Sequence, residues 1–257
     1  MIRAAIVVAL LAVSNRADAT VIKTRASAAS YWQRLPLVLG IAWEFDTDSD
    51  ASVHDFPLLI EYNPIEDLQL RLEPNFIIVR SKNADMGSMR GFGDMEAGAE
   101  YELWRELRYR PALSLETVVR LPTATDAKIG AAKEDVSLGA ILSKDVVWAE
   151  FDFNVVYTYV GDPMGRSKIE FSAAIHKPLI RHKLEIEGEL TQSIGVGSNH
   201  EGGLAALHGG ATETAATVAL AEQVLDQHLK IEEGGTVFND LSWQVVFGLE
   251  YSFQGDD

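Results

Sequence analysis

The chain has 257 residues, no cysteine and a formal net charge of −16. The missing cysteine excludes a disulfide framework and thiolate metal sites. The acidic balance excludes a nucleic-acid partner, which would be bound chiefly through Lys and Arg contacts to phosphate. A mean hydropathy near zero with 47% hydrophobic residues fits a soluble domain, and equally a transmembrane barrel, because half of each barrel strand faces a polar interior.

The first residues read as an export leader. Arg3 supplies the positive start, Ala4 to Val13 the apolar run, and Ala17-Asp18-Ala19 a small-x-small cleavage site. The run is too short to cross a bilayer as a helix, so cleavage after Ala19 and a mature start at Thr20 are expected. No later stretch holds about 18 uninterrupted apolar residues, so no transmembrane helix is expected either.

From Val38 onward the chain alternates with a period of two, which puts an apolar face and a polar face on each strand. In chain order the expected strands are Val38–Asp46, Val53–Tyr62, Leu68–Arg80, Gly91–Leu103, Arg110–Leu121, Glu134–Asp145, Val147–Val160, Lys168–Leu179 and Lys183–Gln192. Two weaker ones follow, Thr212–Gln223 and Gln227–Glu233. The last is the strongest, Leu241–Phe253. Its odd positions are all large and apolar, with Trp243 near the start and Tyr251 and Phe253 at the end, as interfacial belts require. The stretch Leu204 to Ile231 is rich in Ala, Leu, Glu and Gln, so part of it could equally be helix or loop.

The fold expected is all-β: a transmembrane antiparallel up-and-down barrel of about twelve strands, the even number of bacterial single-chain barrels. Residues 1–19 would be the leader, 20–37 a periplasmic segment, 38–253 the barrel and 254–257 a short tail. The short connections, such as Asn63–Asp67 and Trp104–Tyr109, fall at one end. The longer, glycine-rich ones, such as Ser81–Arg90, Pro122–Lys133 and Ile194–Ala211, fall at the other. Short periplasmic turns and long external loops show that asymmetry.

Acid greatly outnumbers base along the polar faces. Arg71, Glu96, Glu100, Glu116, Arg120, Asp135, Asp152 and Glu187 are the candidate residues lining a lumen or its constriction. Fixed carboxylates would favour cations. Folding about the expected turns sets Arg71 near Glu100, Glu96 near Glu116, and Arg120 near Asp135; a close carboxylate pair could hold a proton or a cation. The bland alternative is a hydrated polar interior whose charges only stiffen the wall.

No catalytic reading survives. There is no G-x-S-x-G elbow, and His176 sits alone on its strand beside Lys177 and Pro178. His200 and His208 match no standard metal spacing, and Gly91-Phe92-Gly93-Asp94 lacks the third glycine and the helix of a dinucleotide site. No catalytic residue, metal or cofactor is expected.

Several segments together carry a family resemblance: Phe56 to Tyr62, Gly91-Phe92-Gly93-Asp94, Val118-Val119-Arg120-Leu121-Pro122-Thr123, Tyr157 to Pro163, and Gly248-Leu249-Glu250-Tyr251-Ser252-Phe253. In this order they resemble the outer-membrane proteins named for the meta-pathway of phenol degradation. The resemblance spans most of the mature chain and implies a transporter or porin for small organic compounds, with no catalytic residue to carry over. The chain departs from such barrels in the four residues, Gln254 to Asp257, that follow the aromatic Phe253. The expected function is passive uptake of small organic molecules, aromatic or not, across a Gram-negative outer membrane. The alternative is a non-transporting structural or envelope-interaction barrel with a filled lumen. Expected partners are outer-membrane lipid and lipopolysaccharide, the barrel-assembly machinery, and a small organic solute or cation as cargo.

Overall fold

Alternation dictates strands, and strands are what the computed structural model contains. It describes residues 37–47, 51–82, 88–126, 129–131, 133–162, 166–180, 184–196, 213–224, 229–239 and 243–253, with no helix among them. The expected leader, the cleavage site at Thr20 and the tail Gln254–Asp257 lie outside these residues. So do His200 and His208.

Fourteen strand segments build one sheet: β1 (Leu37–Thr47), β2 (Ala51–Ile65), β3 (Leu68–Glu73), β4 (Asn75–Ser81), β5 (Ser88–Phe92), β6 (Met95–Trp104), β7 (Ala112–Leu121), β8 (Asp135–Val146), β9 (Ala149–Val160), β10 (Ser167–Ile180), β11 (Leu184–Val196), β12 (Glu213–Val224), β13 (Leu229–Phe238) and β14 (Trp243–Phe253). Two pairs of segments are single strands broken once, so the barrel has twelve. Pro74, which has no N–H to give the ladder, divides β3 from β4. Pro57 of β2 lies opposite this break, paired with Asn75, and the neighbouring Leu58 N–H donates to Pro74 O at 2.9 Å. Gly93 and Asp94 divide β5 from β6. There the chain runs so close to its neighbour that a Cβ on Gly93 would lie 2.2 Å from Asn75 Oδ1.

Every strand pairs antiparallel with its sequence neighbours, and β1 closes on β14 from Leu37↔Phe253 to Thr47↔Trp243. Closure removes the unpaired edges that would otherwise invite aggregation. The three register shifts, at Tyr62/Ile65, Glu102/Trp104 and Pro178/Ile180, all fall at the end with the short turns. A shift near the strand end also accommodates Pro178.

The two faces are inverted relative to a soluble sandwich, whose apolar faces pack together. Outward residues include Leu138 and Leu190, 55% and 63% exposed, while the most enclosed side chains include Glu187 and Thr191, each 1% exposed. Outward aromatics mark both ends: Tyr62, Tyr101, Trp104 and Trp148 by the short turns, Phe92 and Tyr159 by the long connections. Trp43 stacks on Phe247 across the closing seam, with ring centroids 5.6 Å apart.

Several boundaries differ from the sequence reading. The strand expected from Arg110 begins at Ala112, because Pro111 cannot donate to the ladder. The strand expected to end at Glu233 continues through Gly234 and Gly235 to Phe238. Its inward Gly234 lies so close to β12 that a Cβ there would come within 2.8 Å of Ala219 Cβ. Next along the same face the Thr236 hydroxyl bonds that of Thr217 at 2.8 Å. Within the ambiguous stretch, 213–224 and 229–231 are strand; 204–212 and 225–228 lie outside the described residues.

Candidate functional site

The enclosed face of the barrel gathers the charged residues. Among the described residues twelve carboxylates are buried, from Glu44 on β1 to Glu232 on β13. Only Arg71, Arg120, Lys168, Lys230 and His176 stand against them as inward bases.

One group of pairs sits on β3 and β6 to β8. Arg71 Nε bonds Glu73 at 2.6 Å and its guanidinium reaches Glu116 at 3.7 Å. Arg120 bridges Glu96 at 2.9 Å and Asp135 at 3.2 Å. Asp135 also accepts the Gly161 N–H at 3.0 Å, tying the pair to the backbone after β9. Glu116 lies across Gly139 of β8, where a Cβ would stand 2.7 Å from its Cγ. Between Gln69, Arg71, Gly98, Glu100, Glu116 and Val118 remains a cavity of about 10 Å³, room for about one water.

These contacts revise two expected pairings. Glu96 is not opposite Glu116: it stands opposite Arg120, and Glu116 stands opposite Glu100. Arg71 is opposite Gly98 rather than Glu100. For Glu96 and Glu116 the cause is the connection after β6. It runs from Arg105 to Pro111 with Leu107 and Arg110 hydrogen-bonded to each other, which moves the turn centre towards Arg108. Arg120 does stand opposite Asp135.

A second group lies on β8 to β13. His176 of β10 is opposite Glu150 of β9 and Glu187 of β11. Its ring nitrogens contact Asp152, Glu185 and Glu187, while Ser143 donates to the other Asp152 oxygen. Lys230 bridges Glu187, at 3.3 Å, and Glu232. The eight candidate residues thus all point inward, six in the first group and Asp152 and Glu187 in the second. His176 was missed as a hub. Its parity with Glu170 and Ser172 marked it as inward, but its carboxylate neighbours come from other strands.

Salt links also fasten the short-turn end. Arg105 bonds Glu66 and Asp67 at 2.5 and 2.9 Å, contacts that hold the guanidinium proton more tightly than usual. Glu106 accepts from Lys144 and from the Asp145 N–H.

No family model and no curated protein sequence matches the chain. Solved structures do. An outer-membrane channel from Pseudomonas putida F1 aligns with a TM-score of 0.62 at 14% identity, covering 86% of this chain and 97% of that one. The NanC porin aligns with a TM-score of 0.62 at 9% identity, covering 84% and 100%, and the KdgM porin with 0.55 at 11%, covering 83% and 99%. Closure, strand number and the apolar outer wall make this chain a twelve-stranded barrel, similar in fold to these outer-membrane channel and porin structures.

Proposed function

We propose that this chain is a channel-like barrel of a Gram-negative outer membrane, through which small molecules pass passively and cations pass more readily than anions. The observation that carries the reading is the excess of inward carboxylates over inward bases inside an apolar outer wall. A carboxylate taken out of water costs several kcal/mol unless a proton, a base or a metal compensates it, so such an interior draws cations from solution. The KdgM porin is known in complex with disordered oligogalacturonate, a polyanion. The carboxylates here would repel such a ligand, so the solute is neutral or positively charged. The resemblance to the phenol meta-pathway proteins adds a small aromatic solute to this reading. Within it the leader is removed before Thr20, the short-turn end faces the periplasm, and lipopolysaccharide and the assembly machinery are the partners.

One observation favours the alternative, a barrel closed by its own side chains. The cavity between Arg71 and Glu116 holds about 10 Å³, too little for an organic solute. Flux decides between the two. Purified protein in liposomes should pass potassium and a neutral phenol faster than protein-free liposomes do. Correctly inserted protein that passes neither is the closed barrel.

A further inference from the structure

Near the short-turn end, three adjacent strands bring together a constellation that neither the wall nor passive flux requires. His176 of β10 is enclosed, with 5% of its side chain exposed, and its Nε2 lies 3.1 Å from Asp152 Oδ2 on β9. Ser143 donates to the other oxygen of that carboxylate, so Asp152 is held in place. An ionised carboxylate only accepts, so Nε2 must carry the ring proton. In the neutral ring Nδ1 then presents a lone pair. That lone pair faces Glu185 Oε1 at 3.4 Å and Glu187 Oε1 at 3.8 Å on β11. Three acceptors facing one another repel, and the Lys230 ammonium, 3.3 Å from Glu187 Oε1, offsets part of that.

A second ring proton is one answer, but a charge-assisted N–H···O bond closes to about 2.7–2.9 Å, and both contacts are longer. An ion is the better geometric fit. Four ligands at about 2.0–2.2 Å in tetrahedral array stand about 3.3–3.6 Å from one another. Here the three donor atoms lie within 4.8 Å of one another, so small rotamer adjustments suffice. Asp152 behind the ring supplies the carboxylate that orients a metal-binding histidine and raises its basicity.

We propose that His176 Nδ1, Glu185 and Glu187 form a site for one first-row divalent cation of the zinc type, with Asp152 as the positioning residue. Imidazole with carboxylates suits that class of ion. The Glu185 side chain is 37% exposed, which leaves an access route and a position for a water ligand. Glu150 faces the ring from β9. Lys230, 3.3 Å from Glu187, competes for that carboxylate; when the cation enters, its ammonium stays with Glu232. The site needs access from one end only, so it stands whether or not the lumen conducts.

The test uses the full folded protein in detergent, stripped with a chelator and titrated with Zn²⁺ by calorimetry and with Co²⁺ by visible absorption. One equivalent should bind, and Co²⁺ should show the intense bands of a four-coordinate site. His176→Ala should lower the affinity at least about a hundredfold, and Asp152→Asn about ten- to a hundredfold. Glu170→Gln, a buried carboxylate outside the constellation, should leave it unchanged. Glu185→Gln, at a partly exposed side chain, should also weaken binding more than tenfold. Wild-type binding no tighter than that of Glu185→Gln, or full binding by folded His176→Ala, would overturn the site and leave an ion-pair cluster.

Discussion

At the scale of single residues, the barrel makes opposite demands on neighbouring positions. Phe153 points outward and is exposed, so Phe153→Arg puts a guanidinium where lipid would be. The expected loss is about 2–4 kcal/mol at mid-wall, read from reversible urea unfolding in vesicles. Ser193→Arg is the matched inward change, because Ser193 is paired with Glu170 on one side and Glu213 on the other. It should cost far less; equal losses would mean that the outer face never meets lipid. Arg120 poses the converse problem. Its loss in Arg120→Met leaves Glu96 and Asp135 facing each other without their bridging cation. Breaking a buried pair from one side costs about 3–5 kcal/mol. The same unfolding assay should register that, and the double change Arg120→Met with Glu96→Gln should recover part of it.

At the scale of elements, closure is the feature on which the rest depends. The β1–β14 seam sets Ile41 opposite Leu249, with both side chains on the outer face. Antiparallel partners have Cα atoms about 4.5–5.5 Å apart, within disulfide reach. Ile41→Cys with Leu249→Cys, in a chain without native cysteine, should therefore cross-link on mild oxidation. The pair Ile41→Cys with Leu138→Cys, on strands that are not neighbours in the sheet, should not. If only the second pair cross-linked, the strand order would be wrong. The interrupted strands belong to this scale too. The offset between β2 and its partner is the same on both sides of Pro74, whereas the Gly93-Asp94 step changes the offset to the neighbouring strand by one residue.

At the scale of the whole molecule, charge is the property that would reach function. Glu100 and Glu116 stand opposite each other beside the cavity, with Arg71 close to Glu116. Fixed charge in a narrow, poorly hydrated space acts more strongly than in bulk water. If the lumen conducts, Glu100→Gln with Glu116→Gln should move the reversal potential in a salt gradient towards that of a non-selective pore. Flux of a neutral phenol should stay within about twofold, because no dipole or charge of that solute is addressed. An unchanged reversal potential would take these two residues out of the conduction path.

Sequence alone determined which side of the wall each residue faces. A strand turns its side chains by half a revolution per residue, so Glu96, Glu100, Asp152 and Glu187 were inward once any one of their strand neighbours was known to be outward. The same rule, with the spacing of turn residues, gave twelve strands and the contrast between short and long connections. Partners across strands were a different matter, because a face does not specify a register. Pro111, the hydrogen-bonded Leu107–Arg110 turn and the shift at Glu102/Trp104 together slid β7 along β6. Glu96 thereby met Arg120 instead of Glu116. His176 shows the same division: period two placed it inside, and only the register of β9, β10 and β11 surrounded it with Asp152, Glu185 and Glu187. Alternation is a local property of each strand, whereas charge pairing depends on the offset between strands, and that offset is fixed by turn geometry, bulges and closure acting together.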